Sequence, residues 1–212
     1  MCFTKGFRVA RPAVPVLSVA KIASAALAIV DRKGEFSVNE VARALGVRPS
    51  SLYNHLTGKA EIVEAMRSLV FQELDPPPLD DTDDWESQLR ELLRRYRDAF
   101  AAHPRLVPLL TAYTVSSPDV MALYEQMAAA LARAGVPDDE LLTVITVLDN
   151  VVIGSALDLA APEEVWSRDA AQGPLLAAAI EASATGRERA DRAFELGIDL
   201  VLGSLVRRLA AG

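Results

Sequence analysis

Apolar residues recur at intervals of three and four along almost the whole chain, and this helical period constrains the fold more than any other feature. Alternating β-branched residues, which indicate strands, are scarce, while Ala and Leu are abundant. The sequence therefore predicts an all-α protein. With 212 residues, of which 51% are hydrophobic, the chain has enough apolar material for a sizeable core.

A compositional break divides the chain in two. The segment DPPPLDDTDD, residues 75–84, contains three consecutive prolines, which no helix can run through. Residues 1–74 hold ten Lys and Arg against six Asp and Glu, whereas residues 75–212 hold twelve against twenty-three. We predict a flexible N-terminal arm at 1–17, a basic unit at 18–74 and an acidic helical domain over the remainder.

Helix boundaries follow from the apolar period and from Ser, Asp, Pro and Gly at the ends of each run. In the first part, helices are predicted over 20–33, 38–45, from Pro49 onward, and over 59–74. In the second part, they are predicted over about 84–102, 104–114, 118–134, 138–160 and 188–210. The period is poor over 162–186, where we expect a mobile connection with a short helix near Leu175 to Glu181.

The segment GVRPSSLYNHL, residues 46–56, has the composition of a tight turn between two short helices. Ser37 and Glu40 form a capping-box pattern at the start of the first helix. Gly46 suits the left-handed position that ends this helix, and Pro49 fits the first turn of the next one. Two such helices are typical of a helix-turn-helix, whose second helix lies in the major groove of DNA.

The second of these helices leaves polar side chains pointing outward. Val47, Leu52 and Leu56 are expected to anchor it, and the outward residues are then Arg48, Ser50, Ser51, Tyr53, Asn54 and His55. None of them is a carboxylate, and their groups can bond base edges or phosphates. The basic residues before the first helix, Lys5, Arg8 and Arg11, fit either an arm that reaches DNA or a solvated tail.

Residues 36–66, FSVNEVARALGVRPSSLYNHLTGKAEIVEAM, closely resemble the DNA-binding segment of tetracycline-repressor-type (TetR family) transcriptional regulators. The shared pattern is an apolar helix, Gly-Val at the turn, Leu-Tyr-x-His on the recognition helix, and a Lys followed by an apolar helix. The resemblance runs from Ser18 to about Leu74, and Leu56 stands where the family usually has an aromatic residue. It implies an all-α homodimer with an N-terminal three-helix helix-turn-helix DNA-binding domain, a connecting fourth helix, and a C-terminal helical ligand-binding and dimerisation domain.

By this resemblance, the positions that face DNA in the family are Ser37, Pro49, Ser50, Tyr53, Asn54, His55 and Lys59. Arg48 is added from its charge and placement, and Ser51 from its outward position. The implied function is a repressor that reads a palindromic double-stranded DNA operator and is released by a small-molecule effector. The alternatives are a helical adaptor whose basic unit binds protein, and an enzyme that uses the C-terminal cavity; for an enzyme, the sequence offers no nucleophile–base pair or phosphate loop.

The last two long helices favour a homodimer. Helix 138–160 is apolar around most of its circumference, and helix 188–210 carries an apolar stripe, which together exceed what one small domain buries. Glycines inside these helices cost about 1 kcal/mol each relative to Ala unless they allow close helix approach. The alternative is a core within one subunit. The predicted interface residues are Gly154, Phe194, Ile198, Val201, Leu202 and Leu205.

Polar residues among apolar helices are the candidates for an effector pocket. They are Tyr96, Tyr113, Tyr124, Thr143, Thr146, Asn150 and Trp166. The spacing of Thr143, Thr146 and Asn150 fits a pocket wall or, alternatively, a solvent-exposed or interface stripe. Asp149 and Asp158 fit structural roles, so the sequence assigns no cationic effector.

The remaining sequence features concern location and cofactors. No apolar run reaches the roughly 20 residues that a membrane-spanning helix needs, and the N-terminus lacks the continuous apolar segment of a signal peptide. Cys2 is the single cysteine, and with two histidines no Cys/His metal cluster can be assembled. We therefore expect a cytoplasmic protein with no membrane association, no metal and no cofactor.

Overall fold

The computed structural model of the chain describes residues 17–74 and 84–210, the side chains of 208–210 excepted. Predictions that concern residues 1–16 and 75–83, which include the basic arm and most of the proline-rich break, lie outside the described residues. Within the described ranges the chain forms ten α-helices and no β-strand, which confirms the all-α prediction. The helices are α1 Val19–Lys33, α2 Val38–Ala44, α3 Pro49–Leu52, α4 Lys59–Glu73, α5 Trp85–Ala101, α6 Val107–Leu110, α7 Pro118–Arg133, α8 Leu141–Leu159, α9 Pro174–Ala182 and α10 Gly186–Ala210.

The N-terminal unit is built on the packing of α1 against α4. Ser18 caps α1 by accepting a hydrogen bond at Oγ from the backbone N–H of Lys21 (3.3 Å), and Gly34 ends the helix with a φ of 80°. The buried side chains that join the two helices include Ile22, Ala26, Val30, Ile62, Val63 and Met66. These buried residues hold α1 and α4 together, and α2 packs on α1 and contacts α3.

α4 belongs to both halves of the molecule, because it packs on α1 and also contacts α5, α6 and α7. Arg67 on α4 is buried and donates hydrogen bonds from Nη2 to the carbonyl oxygens of Leu110 (2.9 Å) and Tyr113 (3.0 Å). The Oγ atoms of Ser68 and Ser117 are 2.5 Å apart. α4 is therefore bound to the segment between α6 and α7 as well as to the N-terminal unit.

The C-terminal half is organised around α8, which packs against α5, α7 and α10. The largest fully buried side chains in this half are Leu89, Leu92, Leu93, Leu106, Met127, Leu131, Leu148 and Ile198. Three aromatic rings extend this core towards α4. The ring centroids of Phe71, Tyr96 and Phe100 are 5.1–5.5 Å apart, which is the separation typical of aromatic clusters.

The helix predicted over 104–114 is wrong in its extent, since only Val107–Leu110 is α-helical. Pro104 and Pro108 lack the backbone N–H that a longer helix needs. The carbonyl groups of Leu110, the last residue of α6, and of Tyr113 are instead bound by Arg67.

The helix predicted over 138–160 begins later, at Leu141. The residues before it form a turn closed by a hydrogen bond from the N–H of Glu140 to the carbonyl oxygen of Pro137 (2.9 Å). The acidic residues Asp138 and Asp139 lie in this turn instead of in the first helical turn.

The connection over 160–185 contains the short helix expected near Leu175 to Glu181, which is confirmed as α9. A 3-10 turn at Arg168–Ala170 precedes it. The N–H of Gly186 donates to the carbonyl oxygen of Glu163 (2.9 Å), so both ends of the connection meet. The expected mobility of this connection stays a prediction.

α8 has 19 residues and a mean hydropathy of 1.6 in its most apolar window, so that by length and composition alone it could cross a membrane. From the sequence, however, α8 is not expected to span a membrane. Only 28% of that window is buried within the chain. A core or interface helix of a soluble protein passes the same test. The exposed apolar face of α8 is therefore the feature that requires an explanation.

Candidate functional site

The turn between α2 and α3 has the geometry that its sequence predicts. The backbone N–H of Glu40 donates to Ser37 Oγ (3.2 Å) and that of Ser37 donates to Glu40 Oε2 (3.0 Å), which completes a capping box. Gly46 adopts a φ of 67°, and Pro49 is the first residue of α3. The capping box, the left-handed Gly46 and the Pro49 start together set the direction in which α3 follows α2.

α3 is a short helix. Its regular part ends at Leu52, and residues 53–55 form a turn. The N–H of His55 donates to the carbonyl oxygen of Leu52 (2.9 Å), which keeps this turn compact. Leu52 and Leu56 are buried, as their anchoring role requires. The side chains between these two leucines therefore face away from the core.

The structure exposes the residues that the sequence assigns to DNA binding, with Ser51 half-buried. Tyr53 is a large aromatic residue with 54% of its surface exposed. The exposed members are Ser37, Arg48, Pro49, Ser50, Tyr53, Asn54, His55 and Lys59. This polar surface contains cationic, hydroxyl, amide and aromatic groups, which are the groups that bond to phosphates and base edges.

Two charged residues beside this surface are held in place by neighbours. Lys59 Nζ lies 5.1 Å from the centre of the Phe36 ring, next to Ser37. Glu40 Oε1 is 2.5 Å from Lys33 Nζ, and the hydrogen bonds from Lys33 and Ser37 hold the pKa of Glu40 at about 2. Glu40 is thus a paired carboxylate at neutral pH.

A second polar group lies inside the C-terminal half, where α5, α7 and α8 meet. Tyr124 on α7 donates from its hydroxyl to Asp149 Oδ2 on α8 (2.9 Å), and the hydroxyl of Tyr96 on α5 is hydrogen-bonded to both Tyr124 and Asp149. Of the seven predicted pocket residues, the structure brings Tyr96 and Tyr124 together in this buried group.

Burial governs the ionisation of these three side chains. It raises the pKa of Asp149 to about 6, although the hydrogen bonds from Tyr124 and Tyr96 and the charge of Arg67 act in the opposite direction. Burial and the charge of Asp149 raise the pKa of Tyr124 to about 12 and that of Tyr96 well above its ordinary value. At neutral pH the tyrosines are therefore donors and Asp149 is largely a carboxylate.

The other predicted pocket residues lie elsewhere. Thr143, Thr146 and Asn150 are on the exposed face of α8, which agrees with the interpretation as a solvent or interface stripe. Tyr113 lines a groove of about 520 Å³ between α4 and the segment that follows α6. Trp166 lines a cleft of about 230 Å³, with its ring centre 5.3 Å from the guanidinium carbon of Arg189.

Asp149, Phe71 and Gln126 are candidate site residues that the sequence alone does not single out. Phe71 and Gln126 line a cleft of about 270 Å³ between α4 and α7, and Gln126 Oε1 is buried with no hydrogen-bond partner in the described part of the chain. A single aspartate within the apolar run TVLDNVV was the available signal for Asp149. For the other two, the sequence gives no local signal.

The predicted dimer residues separate into two groups. Phe194, Ile198, Leu202 and Leu205 are buried within the chain's own core, as in the alternative of a core within one subunit, and their assignment to the dimer interface stays a prediction. They follow the inward side of α10, where they pack with α8. Val201 is half-buried and Gly154 is exposed, with no atom within 4 Å of the position that a Cβ would occupy.

The exposed faces of α8 and α10 carry a different set of apolar residues, namely Leu142, Val147, Leu157, Leu196, Leu200 and Val206. A groove of about 360 Å³ lies between the two helices and is lined by Thr143, Val147, Leu200 and Ser204 among others. Monomeric proteins rarely leave such a contiguous apolar surface in water.

A helix-turn-helix unit that shares α4 with a larger group of C-terminal helices defines an all-α protein of the helix-turn-helix class. The sequence profile described as "Tetracyclin repressor-like, C-terminal domain" matches residues 77–208. The chain therefore belongs to the tetracycline repressor-like (TetR) family.

Individual relatives agree with this assignment. The chain is 28% identical over 153 residues to the HTH-type transcriptional repressor DrrR1 of Streptomyces coeruleorubidus, a match that covers 71% of the chain. The chain spans 57% of the length of that relative.

Solved structures share the fold at low sequence identity. Apo ActR from Streptomyces coelicolor superposes with a TM-score of 0.76 at 22% identity, covering 94% of this chain and 99% of ActR. ActR has also been solved with actinorhodin, with a TM-score of 0.72 at 22% identity over 90% of this chain and 95% of that one. BioQ with its double-stranded DNA operator gives a TM-score of 0.62 at 24% identity, covering 90% of this chain and 99% of BioQ.

Proposed function

We propose that this chain is a DNA-binding transcriptional regulator, a homodimeric repressor that reads a palindromic operator and is released by a small-molecule effector. The observation that carries the proposal is the polar surface formed by residues 48–50 and 53–55, which is exposed around the buried anchors Leu52 and Leu56. It lies in the basic part of an otherwise acidic chain, so that the acidic domain is kept away from the phosphates.

Relatives support each part of this proposal. DrrR1 is a transcriptional repressor, BioQ has been solved with its DNA operator, and ActR has been solved with actinorhodin. For this chain, we place the effector in the interior of the C-terminal half, beside Tyr96, Tyr124 and Asp149, and the protein in the cytoplasm.

A second copy of the chain is the proposed cover for the exposed faces of α8 and α10. Leu142 is 76% exposed and Leu200 is 61% exposed. Because each subunit carries this apolar face, the faces of two subunits can pack against each other across a two-fold axis. Gly154 lies on this face and leaves room for a partner helix to approach closely. Two recognition units about 34 Å apart then match half-sites one turn of DNA apart.

The runner-up is a helical adaptor that binds protein through the same N-terminal surface. Titration of a selected DNA site at several salt concentrations separates the two functions, because phosphate contacts give a steep loss of affinity with salt. A surface used for protein shows no enrichment of one DNA sequence from a random pool.

Replacing Tyr53 by Ala is expected to weaken operator binding roughly 10- to 100-fold, as one lost base or phosphate contact of this size costs about 1–3 kcal/mol. The side chain is exposed, so the fold and the dimer should be unchanged. The measurement is fluorescence anisotropy with an operator selected from random DNA. Met121→Ala, which truncates a similarly exposed residue on α7, is the control; equal affinity of the two variants would remove Tyr53 from the DNA-binding surface.

Replacing Leu200 by Glu is expected to raise the dimer dissociation constant roughly 100-fold or more, because a two-fold interface contains the new charge twice. Sedimentation velocity over a concentration series measures the effect. Met121→Glu places the same charge on an exposed residue of α7 and should leave the dimer intact. A Leu200→Glu protein that remains dimeric at the wild-type dissociation constant would assign the interface to another surface.

A further inference from the structure

Asp149 is a half-buried carboxylate that is hydrogen-bonded by Tyr124 and Tyr96 but has one buried oxygen without a partner. Oδ2 accepts from Tyr124, whereas Oδ1 is buried and has no hydrogen-bond partner within residues 17–74 and 84–210. Arg67 is the cation whose charge acts on Asp149, yet it is engaged elsewhere, 2.9 Å from Glu64 Oε1 and bound to two backbone carbonyls. A half-buried carboxylate without a cationic partner of its own is costly, so Asp149 offers a place for a cation.

Asp158 on the same helix shows the contrast. Its Oδ1 lies 2.7 Å from Arg189 Nη2, so this carboxylate has a cationic partner within the chain. The sequence does not distinguish the two aspartates, and either could form a structural ion pair. Only Asp158 does so.

The surroundings of Asp149 are aromatic. Tyr96, which belongs to the same hydrogen-bonded group, packs against Phe71 and Phe100 with ring centroids 5.2 and 5.1 Å away. On its other side, Phe71 lines the 270 Å³ cleft between α4 and α7, into which Gln126 brings a second buried acceptor without a partner. The cleft and the aromatic rings near Asp149 thus combine acceptor oxygens with ring faces, both of which favour a cation.

From this arrangement, we infer that the effector carries a protonated amine on a flat aromatic body, with the amine bound to Asp149 and the body packed among Phe71, Tyr96 and Phe100. The inference rests on the proposed function, since it names the chemical class of the effector at the same interior site. The amine supplies the missing counter-charge and donors, and the aromatic body makes the offset or edge contacts that the three rings already make with one another.

The same geometry connects the site to DNA binding. Phe71 is on α4, and α4 packs on α1 of the DNA-binding unit. An aromatic body that enters from the cleft displaces Phe71 and thereby favours a different position of α4. The effector then lowers DNA affinity by its preference for that state.

The test uses the full chain and three probes of the same size: 1-naphthylmethylamine, which is cationic at pH 7.5, 1-naphthylmethanol, which is neutral, and 1-naphthoate, which is anionic. Isothermal titration calorimetry is expected to show the amine binding at least about 10-fold more tightly than the alcohol and the carboxylate. In Asp149→Asn, the amine should lose at least about 10-fold in affinity while the alcohol changes by less than about twofold.

Asp158→Asn is the matched control, because it removes a carboxylate from the same helix that Arg189 already neutralises. It should keep the preference for the amine. An amine that binds no more tightly than the alcohol, or whose preference survives in Asp149→Asn, overturns the inference. Operator binding by the wild-type chain without any probe is measured alongside: its absence rejects the proposed function, whereas its presence without amine preference rejects this inference alone.

Discussion

Replacing Arg67 by Met is expected to lower the free energy of unfolding by about 3–5 kcal/mol, because the change strands a buried charge. Arg67 is 6% exposed, and its Nε lies 2.9 Å from Glu64 Oε1. Its Nη2 satisfies the carbonyl oxygens of Leu110 and Tyr113. Met fills a similar volume but removes the cationic partner of Glu64, whose Oε2 then keeps only the donors of Ser116 and Ser117. It also leaves both carbonyl groups without this donor. Urea denaturation at pH 7 measures the loss.

The double variant Glu64→Gln/Arg67→Met separates the stranded charge from the lost hydrogen bonds. It should be more stable than Arg67→Met alone, since no buried charge remains unpaired. Arg192→Met, at an exposed arginine on α10 that pairs with Glu188, should change stability by less than about 0.5 kcal/mol. A loss below about 1 kcal/mol in Arg67→Met would show that the hydrogen bonds from Arg67 to Leu110 and Tyr113 do not hold α4 in place.

The DNA-binding unit could be predicted in detail because its signals are local. Ser37 with Glu40, Gly46 and Pro49 each dictate the backbone within one helical turn, and the structure has the capping box, the left-handed glycine and the helix start that they predict. The exposure of Tyr53 follows from the burial of its neighbouring leucines.

The packing of the C-terminal half is harder to predict, because α8 and α10 each carry apolar residues on more than one side. On α10, the stripe of Phe194, Ile198 and Leu202 has the spacing of an interface and equally that of a core, and only its packing on α8 decides for the core. The period of three and four identifies a face of a helix but not the neighbour that covers it.

The candidate effector site depends on contacts between residues far apart in sequence. Asp149 has an unusual pKa only because side chains of α4, α5 and α7 surround it. Asp158, nine positions later, forms an ion pair with a residue on α10. No spacing rule distinguishes two such aspartates on one helix. The sequence accordingly assigned neither of them to a ligand.

Replacing Asp149 by Asn is expected to stabilise the protein by about 3 kcal/mol at pH 7 and above. Burial raises the pKa of Asp149 from 3.8 to about 6, so that the folded state disfavours the carboxylate relative to the unfolded state. Between about pH 4 and pH 6 the folded chain holds a proton that the unfolded chain has released, and the stability contributed by that proton is lost as the pH rises through this window. Asn keeps an acceptor for Tyr124 and never ionises.

The difference in unfolding free energy between Asp149→Asn and the wild type should therefore be near zero at pH 4, grow up to pH 6 and remain constant above it. Guanidinium denaturation of both proteins at pH 4, 5, 6, 7 and 8 measures this profile. Asp158→Asn should show no such gain, because it gives up the ion pair with Arg189. A difference that is independent of pH would mean that Asp149 ionises as easily in the folded chain as in the unfolded one. A rising difference would show that the chain retains a destabilising carboxylate at its centre, which is the cost expected of a group kept for binding a ligand.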